Sequence, residues 1–365
     1  MTIVSLSVVH LRLPLGRFRV SLNSPSRGEM LDVLLVTLET DLKLTGVGFT
    51  YFVGPGVQAA KTLIETDLAP LLIGENPQHS EQLFAKVQQH FRQSEFAGLV
   101  ARAYAPIDIG LWDLKAKAQD LPLWELLGAS RSTATGFISD LGLMSVDIAE
   151  VPKAIKPHLD HGAMGLLIEI GSGDVEADAS RIHDLRHAIG ESSWLGVTAG
   201  GRFDLTTALG LAEYLQEEME VDWFEQPIPM ADRLGYDRLA DRLEVPLVLG
   251  ASLAKREDFL PFVQAGIPRI LRADLCRLGG ITPWLKVAAL AEIYHLPIYP
   301  VRLPEVGLHL ACGLTNVPAV DYVSWLNPLF KEALKFSKGV LHAPQSPGLG
   351  IEIDEKALAK LRVSG

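Results

Sequence analysis

The sequence predicts a closed (β/α) barrel preceded by an antiparallel N-terminal unit, and three observations carry that prediction. Between residues 162 and 302 a short apolar run, a small or polar break and a helix-like stretch recur, with a period of roughly 25 residues. The apolar runs are GLLIEIGSG, WLGVTAGGR, VDWFEQPIP, PLVLGASL, RILRADLCRLGG and LPIYPVRLPE, ending near Glu169, Thr198, Glu225, Ala251, Asp274 and Val301. Parallel strands need crossovers and a helix is the cheapest one, so units of this length close into a barrel. Residues 3 to 52, by contrast, alternate as antiparallel strands. Barrel chemistry sits where strands end and loops begin, so the six strand ends mark the mouth.

The first strands are VSLSVVHLRLPL, MLDVLLVTLET and TGVGFTYF, with Asp41 and Gly46 flanking the second turn. The intervening RFRVSLNSPSRGE is polar and broken by Pro and Gly, a long loop of the kind that usually serves function. Helices are expected over 57–69, 78–93 and 98–119, the second opening on the cap-like ENPQHSEQL. The third carries Ala103, Ile107, Leu111 and Leu114 at helical spacing beside Trp112 and Asp113, and LPLWELLG hands over to the barrel. The tail HAPQSPGLGIEIDEKAL returns to strand-and-turn composition. An α+β unit over 1–126, completed by 344–365, and a barrel over 127–343 follow.

At 365 residues, 48% hydrophobic and 21% charged, the chain has ample core for this arrangement. A net charge of −11 argues against nucleic acid or an anionic membrane as partner. No apolar run is long enough to span a bilayer, and the N-terminus lacks the pattern of a signal peptide. Cys276 and Cys312 form no metal or redox spacing, which reads as two buried thiols in the cytoplasm. A mean hydropathy of +0.20 hints at a buried interface in a homo-oligomer.

IDIGLWDLKAKAQDLPLWELLG, WFEQP, RADLCRLGGITPWLKVAALAE, EVGLHLA and SPGLGIEIDEKAL, in this order, resemble the mandelate racemase/muconate lactonizing branch of the enolase superfamily over essentially the whole chain. The resemblance implies a modified TIM barrel, (β/α)7β, under an N-terminal α+β capping domain. It also implies Mg²⁺, proton abstraction α to a carboxylate, and substrates such as sugar acids, hydroxy acids, cycloadducts or dipeptides; members commonly assemble into dimers or octamers. Leu167 and Glu169 stand at the family's Lys-x-Lys, and Thr198 and Gly200 at its Asp and Asn. Glu225 is retained as a metal carboxylate, Ala251 replaces the next, Asp274 is retained, and Val301 replaces the histidine that partners it. A late electrophilic glutamate would fall at Lys331 or Glu332.

Mg²⁺ takes several oxygen ligands in near-octahedral array. With Thr198 and Ala251 beside a lone Glu225, the expectation is no bound metal and no other cofactor. Losing one oxyanion donor commonly costs about 3 kcal/mol, so the inherited reaction needs a substitute cation. Arg272 lies two residues before Asp274 on one strand face, and either serves as that fixed cation or merely neutralises Asp274 and Glu225. Arg302 and Lys255 add positive charge at the mouth. Glu169, where a family base would stand, is the first candidate for acid–base work, with Asp274 the second; a surface ion pair is the plainer role for Glu169. Substrate contacts are expected from Glu225, Thr198, Arg302, Lys255, Tyr51, Asn23 and Arg27, and the small residues at the strand ends leave a larger, drier cavity. A small-molecule carboxylate is the expected partner. The functions compatible with these residues are a metal-independent lyase or isomerase, a non-catalytic organic-acid or partner binder, and a Mg²⁺-dependent acid-sugar racemase or dehydratase with relocated ligands. GSGD at 171–174 reads as a strand–helix turn before a phosphate cradle, and His309 as a packing histidine before a catalytic one.

Overall fold

The computed structural model describes residues 1–15, 30–139 and 151–363. Asn23 and Arg27 lie outside the described residues. Strands β1 (Ile3–Pro14), β2 (Met30–Thr40) and β3 (Thr45–Phe52) form an antiparallel sheet in that order. The period-two alternation of β2 explains where the sheet goes. Leu34, Val36 and Leu38 pack into a core with Val57, Ile64, Leu83 and Tyr104 from the following helices, while Leu31, Val33 and Leu35 join the barrel core. The sheet is therefore a layer between its own helices and the barrel.

Helix Leu99–Lys117 lies directly on β3. Gly46 flanks the β2–β3 turn from inside β3, and a Cβ there would stand 2.4 Å from the Gly110 carbonyl oxygen. At Gly48 the same atom would be 2.0 Å from the carbonyl oxygen of Pro106. Backbone on both sides leaves no room to yield. Gly48→Ala is expected to cost about 3 kcal/mol in urea unfolding; a change under about 0.5 kcal/mol would mean the helix can back away from the strand. The helix also staples the chain together. Asp113 accepts from the amides of Val47 at 2.9 Å and Leu349 at 2.7 Å, while Trp112 Nε1 donates to the Thr282 hydroxyl at 2.9 Å. The expected 57–69 helix is present as Val57–Leu63 followed by a π-helical turn, Ile64–Leu68. The 78–93 helix is Ser80–His90, and no side chain caps its start.

The barrel strands are β4 (Thr133–Ile138), β5 (Gly165–Glu169), β6 (Trp194–Thr198), β7 (Trp223–Glu225), β8 (Leu247–Leu249), β9 (Ile270–Ala273), β10 (Ile298–Pro300) and β11 (Ala319–Tyr322). They pair in parallel in the order β10-β9-β8-β7-β6-β5-β4-β11, and a short β12 (Leu341–His342) pairs antiparallel with β4. This is a nearly closed eight-stranded barrel with the antiparallel unit laid against it, the modified TIM barrel the sequence predicts.

Side chains two apart on a strand share a face, and that parity fills the axis. Phe137, Leu167, Trp223 and Val248, with Trp194, Ile270 and Tyr299, form an aromatic plug inside the barrel. The Trp194 and Trp223 rings meet edge-on at 4.5 Å, a contact that Gly196 permits, since a Cβ there would stand 2.3 Å from the Trp223 indole nitrogen. The next inward layer toward the strand ends is Glu169, Thr198, Glu225 and Arg272. Among the described residues no helix is long and apolar enough to cross a membrane.

Candidate active site at the mouth of the barrel

Arg272 occupies the centre of that layer, 4% exposed, with its guanidinium 5.7 Å and 5.8 Å from the ring centres of Phe137 and Trp223. Nη1 donates to Glu225 Oε2 at 2.5 Å and Nη2 donates to Asp321 Oδ2. Asp321 comes from β11, and its second oxygen accepts the Ser139 hydroxyl. Burial pushes the Glu225 carboxyl up, and Arg272 and the Thr198 hydroxyl only partly counter this. Burial works against the charge on Arg272, but Glu225 and Asp321 outweigh it and hold the guanidinium protonated. The partners of Arg272 are thus Glu225 and Asp321, not Asp274 as the strand parity predicts. The reason is that β9 ends at Ala273: Asp274 turns out of register to cap helix Leu275–Leu278, accepting from the amides of Cys276 and Arg277.

The second oxygen of Asp274 accepts from the Tyr51 hydroxyl at 2.9 Å, which joins the N-terminal sheet to the barrel mouth. Burial, reinforced by the Asp274 charge, pushes the Tyr51 phenol well up. Three guanidiniums surround this corner. Arg302 Nη1 donates to the Tyr51 hydroxyl at 3.3 Å, Arg102 Nη1 donates to the Tyr51 carbonyl at 3.0 Å, and Arg277 Nε lies 3.7 Å from Asp274 Oδ2. The buried Cys276 thiol is pushed up to about 12 by burial and is inert at neutral pH.

Glu169 stands at the end of β5 and is paired with Arg202, which also donates to the carbonyls of Ile170 at 2.9 Å and Ala199 at 3.2 Å. Lys255 is drawn away from the strand ends to Glu95 in the N-terminal unit. His309 is a packing group: Nδ1 accepts from the Trp124 amide at 3.1 Å, Nε2 lies 3.0 Å from the Leu349 carbonyl, and burial lowers the ring to about 4. The GSGD turn is filled by the chain itself, because Asp178 accepts from the amides of Gly171 and Ser172. The late acid is not at Lys331 or Glu332, which are exposed, Lys331 being paired with Glu352. The acid that the closing strand does bring to the mouth is Asp321. Reasoning from sequence missed Asp321, Arg102 and Arg202; a lone acid inside the apolar run VPAVDYV was the available signal for the first.

Residues 150–357 match the enolase C-terminal domain-like family and residues 5–128 match the mandelate racemase / muconate lactonizing enzyme N-terminal domain. The chain belongs to the mandelate racemase / muconate lactonizing enzyme branch of the enolase superfamily. Its relatives include L-talarate/galactarate dehydratase of Salmonella typhimurium, 28% identical over 97% of this chain and 88% of that protein. Another is the 3,6-anhydro-alpha-L-galactonate cycloisomerase of Streptomyces coelicolor, 27% identical over 96% of this chain and 97% of that protein. Among solved structures, L-talarate dehydratase from Polaromonas sp. JS666, complexed with Mg and L-glucarate, superposes with a TM-score of 0.91 at 27% identity, covering 100% of this chain and 98% of that one.

That complex corrects the expectation of a chain that works without a cofactor: the fold's relatives are crystallised with Mg. The donor chemistry at this mouth suits a hard cation. Glu225 and Asp321 are carboxylates held side by side by Arg272, with the Thr198 hydroxyl on Glu225. An ion drawing on these oxygens would share them with Arg272 and would need substrate oxygens and water to complete its shell.

Proposed function

We propose that this chain is an acid-sugar dehydratase or cycloisomerase that takes Mg²⁺ through relocated oxygen donors. One observation carries the reading: the mouth is electrically divided. At one corner Glu225 and Asp321 outnumber Arg272, and at the other Arg102, Arg277 and Arg302 outnumber Asp274. A negative corner invites a cation and a positive one invites a carboxylate, which together describe Mg²⁺ and a sugar acid. The relatives support the same class, being dehydratases and cycloisomerases of galactarate, galactonate and their kin.

When bound, Mg²⁺ supplies positive charge that stabilises a substrate carboxylate as its α proton leaves; Glu225 and Asp321, with Thr198, would hold it. The chain's own residues do the rest. Glu169, oriented by Arg202, takes the proton α to the carboxylate. Glu169 then returns that proton to the departing β-hydroxyl, which leaves as water, while Asp274 holds the Tyr51 hydroxyl in place. The enol that remains becomes a 2-keto-3-deoxy acid, so atoms balance without a further reactant. Arg272 fixes the separation of Glu225 and Asp321.

The test is a panel of aldonates and aldarates assayed for 2-keto acid with Mg²⁺, after chelation, and after Mg²⁺ is restored. Turnover of at least one acid sugar that vanishes with chelator and returns with Mg²⁺ is expected. Glu169→Gln should lower kcat about 100-fold or more with KM little changed. The double pairing of Arg272 favours a second reading, an acid-binding protein without turnover; binding of acid sugars with no product under any condition would select it.

A further inference from the structure

We infer that Arg302, backed by Arg102, is the subsite that selects substrates by a carboxylate, and that the Trp325 and Tyr51 rings define its shape. This rests on the acid-sugar reading and adds which residues recognise the acid. The chain is forced into an unusual shape to present Arg302. Arg302 and Leu303 are consecutive non-glycine residues in the left-handed region, at φ 57° and 46°. Such residues each cost on the order of 1 kcal/mol and persist where surrounding contacts over-determine them, most often at functional sites.

The contacts here are specific. The Arg302 amide donates to Asp321 Oδ2 at 3.0 Å, the Val301 amide donates to the Ala273 carbonyl at 3.1 Å, and the Leu303 carbonyl accepts from Gly307 at 2.8 Å. The turn is pinned on three sides, and its product is the direction of one side chain. That side chain places its guanidinium 4.9 Å from the Trp325 ring centre and 5.6 Å from that of Tyr51. Trp325 and Tyr51 themselves pack edge-to-face at 5.6 Å, so the box is rigid.

Arg302 differs from the other mouth arginines in what it lacks. Arg272 and Arg202 are each held by carboxylates. Among the described residues no carboxylate lies within ion-pair distance of the Arg302 guanidinium, whose direct contacts are two ring faces and a phenol oxygen, with Asp274 and Asp321 acting on it from farther off. Arg102, on the neighbouring helix Leu99–Lys117, is alike: it gives one hydrogen bond to the Tyr51 carbonyl and lies 5.8 Å from the same ring centre. Both side chains are only partly buried. A planar, permanently charged fork with donors to spare matches a carboxylate in two-pronged fashion, and ring faces keep its plane fixed. The acid already present, Asp274, is kept from this role by its bonds to Tyr51 and to two backbone amides.

Titration calorimetry on the full chain with Mg²⁺ tests the assignment, using galactarate, galactitol (the same carbon skeleton with uncharged ends) and mandelate. Arg302→Met keeps the stem against Trp325 and removes the charge; galactarate should bind ~10- to 100-fold more weakly, with galactitol unaffected. Arg302→Lys keeps the charge without the fork and should fall between the two. Galactarate affinity unchanged within twofold in a folded Arg302→Met protein overturns the assignment. Should that variant melt early, unchanged affinity in Arg302→Lys overturns it equally. Mandelate that binds and is lost in Arg302→Met, with no acid sugar binding at all, keeps the anchor and sinks the acid-sugar reading. A wild type that binds neither acid overturns both.

Discussion

Replacing Arg272 by methionine is expected to lower stability by about 3–5 kcal/mol at neutral pH. Methionine fills the stem's volume over Phe137 and Trp223, so little packing is lost. What is lost is the cation that bridges Glu225 and Asp321, which are 1% and 0% exposed. Two ionised carboxylates would then face each other in an apolar surround. Protonation is their escape, and it fixes the sign of the pH dependence. Burial already holds Glu225 above its ordinary range, and removing Arg272 removes the main group pulling it down. A carboxyl whose folded pKa is raised stabilises below its unfolded pKa and loses that contribution as pH rises. The deficit of Arg272→Met should therefore shrink from pH 7 toward pH 5, read from urea unfolding at both. A deficit below about 1 kcal/mol, or one that grows as pH falls, would show that the three side chains do not form this cluster.

The same cluster shows what was legible in the residues alone and what was not. Strand ends at Glu169, Thr198 and Glu225 follow from the repeat because strands of a parallel barrel are short, apolar and similarly spaced. Asp274 does not follow: whether a residue continues a strand or caps the next helix is decided by backbone torsions one residue past the last ladder bond. That single position separates an acid paired to Arg272 from one paired to Tyr51 across 223 residues of sequence. Asp321 was hidden for a different reason. Its strand, Ala319–Tyr322, follows the Pro304–Gly313 helix by a short loop and lies beyond the last of the six runs that carry the repeat, so the period gives no register there. Arg202 was hidden because it sits past the break in WLGVTAGGR, where Gly200 and Gly201, both at positive φ, turn the chain and aim it back toward Glu169.

Glu305→Gln is expected to be more stable than the wild-type protein above neutral pH, by an amount that grows with pH. Glu305 lies in the first turn of helix Pro304–Gly313 and is 2% exposed, and among the described residues neither carboxyl oxygen has a hydrogen-bond partner outside its own residue. Burial pushes its pKa from 4.5 to about 8, with its own backbone amide offsetting this only slightly. The folded chain thus keeps Glu305 protonated over a range in which the unfolded chain releases the proton. Its contribution is complete below about pH 4.5 and is lost as pH climbs to about 8, a difference of about 3 kcal/mol at pH 7. Glutamine keeps the shape and does not titrate, so the stability gap should open in its favour by about 3 kcal/mol between pH 5 and pH 8. Parallel pH profiles for the two proteins would mean that Glu305 is ionised and paired in the fold. The effect bears on the site, because Glu305 is three residues from Arg302 and its helix begins at the strained Leu303. Ionising a buried carboxyl there strains the turn that aims Arg302, so galactarate affinity in the wild-type protein should fall above about pH 8, and Glu305→Gln should restore it.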